Sequence, residues 1–143
     1  MAYSVSGVML MNMFGITMAG ADICGFIGDT NAELCTKWHI VGSFYPFSRN
    51  HNNWGQIAQE PYVWANSTVN GLNATNVMRD AIKTKYSLIR YFYSNIFTIS
   101  TTGSGTLYKP LFFEFPDDDK AYNDIIYNAM LGDSIKLSIN PEI

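Results

Sequence analysis

Two short apolar runs, residues 16–21 (Ile-Thr-Met-Ala-Gly-Ala) and 44–47 (Phe-Tyr-Pro-Phe), each follow a segment with helical character. This alternation limits the fold more than any other feature, because strands joined through a helix-length crossover run parallel. Residues 3–14 place Val5, Val8, Met9, Met11, Met13 and Phe14 on a broad apolar surface, with Gly15 suited to stop the helix. The run at 16–21 is small enough for a fully buried strand that ends at Asp22, and Gly25 and Gly28 mark the loop after it. Thr30 as N-cap with Glu33 three residues on makes a capping box for a helix that carries Leu34, Cys35, Trp38 and His39 towards Gly42. The second run opens into a polar loop over 48–59. After a turn-rich stretch at 67–76, Ile82, Tyr86, Ile89, Tyr93, Ile96 and Phe97 predict one long helix over 76–101, ended by Gly103 and Gly105. Strands are then expected over 108–115 and 134–139, separated by an acidic turn after Pro116. Two parallel strands cannot make a stable sheet with both faces covered. The pattern therefore implies a piece of a larger α/β domain, or a chain that needs a partner.

Bulk properties narrow the function classes. Half the residues are apolar and 15% are charged, the balance of a chain that buries a core. Nine basic residues are scattered without a stripe and the net charge is −3, which sets nucleic-acid binding aside. The apolar opening, residues 5–21, resembles a leader or a membrane span. No Lys or Arg occurs before Lys37, and Asn12 and three glycines interrupt the run, so a buried helix and strand are the better reading. The aromatic fraction of 15% serves a core first, but it also suits faces that stack on sugar rings.

Cys24 and Cys35 could close a disulfide in an oxidising compartment or stay reduced and buried. Two sequons, Asn66-Ser67-Thr68 and Asn73-Ala74-Thr75, favour a secretory or lysosomal route. Polar residues gather at the ends of the two expected strands: Asp22 after the first, and Arg49, Asn50, His51 and Asn52 after the second. In a (β/α) barrel such positions face the active site. A carboxylate and an imidazole there, with Phe26, Trp38 or Trp54 nearby, would hydrogen-bond the hydroxyls of a sugar and cover its C–H face. The plainer readings are a turn or cap for Asp22, a structural role for His51, and charge neutralisation for Arg49.

The segment Phe14-Gly-Ile-Thr-Met-Ala-Gly-Ala-Asp-Ile-Cys-Gly-Phe26 closely resembles a signature of glycoside hydrolase family 31, the α-glucosidase type. The likeness continues through Glu33-Leu-Cys-Thr-Lys-Trp38, Gly42-Ser-Phe-Tyr-Pro-Phe-Ser-Arg-Asn-His-Asn52, Gln59-Glu-Pro-Tyr62 and Pro110-Leu-Phe-Phe-Glu-Phe-Pro116, in order along nearly the whole chain. The resemblance implies an α/β fold: residues 1–104 as the last two strands and helices of a (β/α)8 TIM barrel, and 105–143 as the first strands of a β-sandwich domain. It implies that Asp22, after the seventh barrel strand, and His51, after the eighth, bind glucosyl hydroxyls in the −1 subsite. Phe26 would line that pocket, Arg49 would support it, and Cys24 and Cys35 would match a disulfide-bonded pair. The expected partners are an α-glucoside or oligosaccharide and the remainder of the barrel, with no cofactor or metal.

The family reaction is retaining hydrolysis by two carboxyls that flank the glycosidic bond. Their motifs lie N-terminal to everything seen here, so no catalytic residue is named; Asp29 follows Gly28 but stands after the Asp22 motif. The chain alone is expected to be inactive. The alternative is a non-catalytic sugar-binding or interaction protein derived from the same barrel. Two departures stand out: Lys109 where family members usually have Arg, and Lys136 where a buried apolar residue is expected.

Overall fold

The computed structural model describes residues 1–140. Helix α1, Ala2–Met13, stops as expected at Gly15, whose φ of +84° suits a residue without Cβ. Its buried face, Val5, Val8 and Met9, packs in one core with Val41, Tyr45, Phe92, Leu107, Tyr108, Ala129 and Leu131. Each fully buried side chain of this size contributes about 1.5–3 kcal/mol. Asn12, read from the sequence as an interruption, is a buried link: its Nδ2 donates to Val8 O (3.0 Å) and its Oδ1 accepts from Tyr108 N (3.1 Å).

The expected parallel pairing is present, but not on the apolar runs. Strand β1 is Asp22–Ile23 and β2 is Arg49–Asn50, paired in parallel with Asp22 opposite Arg49 and Ile23 opposite Asn50. Residues 16–21 and 44–47 are not ladder strands; 43–47 turns, with Phe44 N bonded to Val41 O and Tyr45 N to Gly42 O. Of the first run only Ala19 reaches across, accepting from Phe47 N at 3.0 Å. A Cβ on Gly20 would lie 1.9 Å from Phe47 O, so the close approach of the two backbones requires glycine there.

Helix α2, Ala32–Gly42, joins the two strands. Its N-cap is Asn31, not Thr30: the Asn31 side chain accepts from Leu34 N, while Glu33 pairs with Lys37 (2.6 Å) one turn on. A hairpin of β3, Thr68–Val69, and β4, Leu72–Asn73, leads into α3, Ala74–Ser87, capped by the Asn73 side chain on Asn76 N. The single long helix expected over 76–101 is two. Leu88, at φ −96° and ψ 1°, separates α3 from α4, Ile89–Thr102. Hydroxyls draw on carbonyls just before the break, Thr84 Oγ1 on Asp80 O and Ser87 Oγ on Thr84 O, which loosens the helical ladder. At the same turn Lys85 Nζ donates to Tyr45 O (2.6 Å) and sits 4.2 Å from the Phe92 ring centroid; burial pushes its ammonium down to about 8.

The C-terminal part is an antiparallel sheet in the order β5, Tyr108–Lys109; β6, Asn128–Leu131; β7, Ile135–Ser138. The strand expected over 108–115 ends at Pro110, which has no N–H for the ladder, and Leu111–Phe113 coils into a 3-10 turn. β6 was not foreseen; as the buried central strand it has no polar alternation to reveal it. Both lysine departures are accommodated. Lys136 is exposed while Ile135 and Leu137 pack on the core, and Lys109 is buried in contact with Glu114 and Asp133 (2.7 Å to the latter). Burial alone would lower the Lys109 ammonium, but the two carboxylates outweigh it and the net shift is upward.

Candidate functional site

β1 and β2 pair over two residues each, which places Asp22 and Ile23 beside Arg49 and Asn50. Arg49, opposite Asp22 in register, donates from Nε (2.9 Å) and Nη2 (2.7 Å) to the same Asp22 oxygen, Oδ1. Among the described residues Oδ2 takes no hydrogen bond, so the carboxylate is fixed in direction and keeps an open acceptor. The Arg49 guanidinium also lies 5.9 Å from the Phe47 ring centroid.

One residue beyond β2, the His51 imidazole meets Phe26 from the loop after β1, with ring centroids 5.4 Å apart and planes inclined at 37°. The two loops are joined by backbone and side-chain bonds. Asn53 N donates to Phe26 O (2.9 Å), and Ile57 N donates to Asp29 Oδ1 (3.0 Å). Asp29 is thus a loop tie. All four residues singled out from the sequence, Asp22, Phe26, Arg49 and His51, stand at this one edge.

The aromatic neighbours divide. Trp54 is 95% exposed on the same loop as His51. Trp38 does not reach the site: its ring packs on the core from α2 and lies 3.4 Å from where a Gly25 Cβ would stand.

Cys24 and Cys35 are joined by a disulfide beneath the edge, tying β1 to α2. His39 Nδ1 lies 3.6 and 3.7 Å from the two sulfurs, a cluster with metal-ligand spacing. The sulfurs are bonded to each other and offer no thiolate, so the cluster is a covalent link and not a metal centre. His39 Nδ1 is 2.9 Å from Cys35 O, which makes Nδ1 the protonated nitrogen. Burial lowers its pKa against the opposing effect of that hydrogen bond, and the ring is neutral.

Sequence reasoning did not assign roles to the residues that connect the two loops, Asn50 and Gln59. Gln59 is 3% exposed. Its Nε2 lies 3.2 Å from Ile23 O, 3.3 Å from Gly25 O and 3.0 Å from Asn50 Oδ1. Asn50 Nδ2 returns a bond to Gln59 O (2.9 Å) and lies 3.4 Å from His39 Nε2. Their signals in the sequence were Asn50's place among the strand-end polar residues and Gln59's place at the head of the Gln59-Glu-Pro-Tyr62 segment.

The edge presents one carboxylate acceptor, one imidazole and an aromatic face, the set that reads hydroxyls and covers a sugar ring. Another carboxylate of these loops, Asp29, accepts from Ile57 N. A cavity of about 590 Å³ lies elsewhere, between α2, the β3–β4 hairpin and β7. Its apolar lining includes Val41, Phe44, Leu72 and Leu137 and holds no carboxylate.

A parallel strand pair joined through a helix, with polar residues at the strand ends, belongs to the (β/α) barrel class, and the family follows from direct comparison. Residues 1–95 match the glycosyl hydrolases family 31 TIM-barrel domain, and the chain belongs to that family. The lysosomal acid α-glucosidase of Tetrahymena pyriformis is 44% identical over 134 residues, 93% of this chain and 14% of that protein. The family 31 dextranase of Flavobacterium johnsoniae, solved in complex with glucose, superposes with a TM-score of 0.84 at 26% identity, over 99% of this chain and 17% of its own. The glucosidase II alpha subunit in its Glc1Man2-bound form gives 0.82 at 26% identity, over 98% and 15%. The chain therefore spans about one seventh of the relatives it matches.

Proposed function

We propose that this chain is the sugar-recognising end of a retaining α-glucosidase barrel, supplying half of the −1 subsite. The observation that carries it is the convergence of Asp22, Phe26, Arg49 and His51 on one strand-end edge in a family 31 fold. Asp22 accepts from a hydroxyl through Oδ2, His51 adds a second hydrogen bond, and Phe26 covers the ring. Arg49 holds Asp22 in direction. The nucleophile and the general acid/base are contributed by barrel strands that precede this segment, so the chain alone does not hydrolyse glucosides. Residues 1–104 complete the barrel, and 105–143 begin the C-terminal β-domain; the three-stranded antiparallel sheet that starts at Tyr108 supports that reading.

The substrate class is terminal α-linked glucose in oligosaccharides or glycans. The compartment is the secretory route, lysosomal or extracellular. The Cys24–Cys35 bond, the sequons at Asn66 and Asn73, and a lysosomal relative support this placement. Among the described residues no helix is long and apolar enough to cross a membrane. The test is hydrolysis of a chromogenic α-glucoside by the 143-residue chain beside the same chain joined to the preceding barrel strands of its family. Activity in the joined protein only is the expected result. Activity in the short chain, after host enzyme is excluded, would place the carboxylates within it and overturn the reading.

A further inference from the structure

The two halves of the edge come from loops that are remote in sequence and share only two residues of ladder on each side. Two residues of parallel pairing do not fix the direction of the side chains that follow them. The backbone bond from Asn53 N to Phe26 O (2.9 Å) joins the two loops at one point, and the amides of buried Gln59 and half-buried Asn50 tie the residues on either side of it. Gln59 Nε2 faces two carbonyls of the first loop, Ile23 O and Gly25 O, which bracket Cys24 between Asp22 and Phe26. The same nitrogen donates to Asn50 Oδ1, on the residue between Arg49 and His51. Asn50 closes the circuit by donating to Gln59 O, beside the neutral His39 ring and the Cys24 sulfur. Trp64 Nε1 also donates to Gln59 O (3.4 Å), which anchors the loop from its far side.

We infer that Gln59, with Asn50, is the positioning residue of the sugar subsite. Neither side chain is assigned to the sugar; together they set the separation between Asp22 and Phe26 on one side and Arg49 and His51 on the other. The inference rests on the reading of this edge as the −1 subsite. A buried amide suits the task because it offers donors to carbonyls that would otherwise be unpaired, and leaving such groups unpaired is unfavourable enough to move the backbone. An apolar side chain of similar size would fill the space and abolish the register. Displacements of about 1 Å at a reacting site can lower rates by roughly a hundredfold.

The experiment is a double-mutant cycle in the family 31 enzyme that joins this segment to the preceding barrel, with kcat/KM on an aryl α-glucoside as the readout. The variants are Gln59→Met, Asp22→Asn and the pair, each checked for folded fraction by thermal unfolding. Gln59→Met is expected to lower kcat/KM by roughly tenfold alone and by less than about threefold in the Asp22→Asn background, because it acts through Asp22 and its neighbours. A global structural role would instead reduce activity by the same factor in both backgrounds and would overturn the inference. If Asp22→Asn alone leaves kcat/KM unchanged, the subsite reading fails first and takes the inference with it. Should Gln59→Met not fold, Asn50→Ala, which removes the same contact from the other strand, carries the cycle with the same two outcomes.

Discussion

At the scale of the residue, the Asp22–Arg49 ion pair orients the carboxylate more than it stabilises the fold. Both Arg49 donors use one carboxylate oxygen, and Arg49 is itself about half exposed, so solvent screens much of the attraction. In the joined enzyme Arg49→Met is expected to raise KM for an aryl α-glucoside roughly fivefold, about 1 kcal/mol. Steady-state kinetics beside wild type checks it, and an unchanged KM would mean that Asp22 is oriented by other groups. The two sequons differ at the same scale. Asn66 is exposed in a turn, whereas Asn73 is half-buried, caps α3 through Oδ1, and donates from Nδ2 to Ala65 O at 2.7 Å. Nδ2 is the atom a glycan would modify. After expression in a secretory host, mass spectrometry is expected to find the glycan on Asn66, removed by Asn66→Gln. Asn73→Gln is expected to remove no glycan but to destabilise the fold by about 0.5–1 kcal/mol through the lost cap.

At the scale of the element, the Cys24–Cys35 bond ties β1 to the first turns of α2 across an eleven-residue separation. Closing a loop of that size contributes about 2–3 kcal/mol in chain entropy. The double variant Cys24→Ala, Cys35→Ala is expected to lower the stability of the chain by that amount in urea unfolding. A change below about 0.5 kcal/mol would mean that His39, Asn50 and Gln59 hold the elements without the bond. The contrast between this region and the rest shows what could be read in advance. The helices α1 and α2, the parallel pairing and the four edge residues were legible because periodicity, glycine stops and strand-end polarity are local signals. The exact ladder was not. Apolar character marked 16–21 and 44–47, but pairing is decided by which backbones meet, and these meet at Asp22–Ile23 and Arg49–Asn50. Leu88 breaks the long helix without Gly or Pro, so no residue type announces the break. Asn31 displaced Thr30 as cap because either residue type can cap, and only geometry chooses between them. Gln59 was legible as the head of the Gln59-Glu-Pro-Tyr62 segment but its role was not, because its partners include backbone carbonyls more than thirty residues away.

At the scale of the whole molecule, the titrating groups give the chain a distinctive pH response. Burial holds Lys85 at about 8, well below its unfolded value near 10.4. Between those values the unfolded chain binds more protons than the folded one, so the Lys85 contribution to stability rises with pH from about 8 towards 10. Above about 10 the slope reverses. Burial raises the phenols of Tyr45 and Tyr108, so the unfolded state ionises them first. The urea midpoint is expected to increase between pH 8 and 9.5 and to fall beyond 10.5, with Lys85→Met flattening the first limb. A midpoint that falls steadily from pH 8 would contradict the buried placement of Lys85.

The exposed apolar residues Phe14, Ile16 and Met18 follow α1 just where the chain approaches β1, as expected of a surface that neighbouring barrel strands would cover. On the proposed function, that surface and the strand-end edge belong to one picture, a segment that the rest of a barrel would complete. The most direct test is kcat/KM for an aryl α-glucoside in the joined enzyme after Asp22→Ala and, separately, His51→Ala, with folding monitored for each. Loss of at least roughly a hundredfold in both, at unchanged thermal stability, is the expected result for two side chains that bind sugar hydroxyls in the transition state. Near-wild-type kcat/KM in either folded variant would show that the sugar does not sit on this edge.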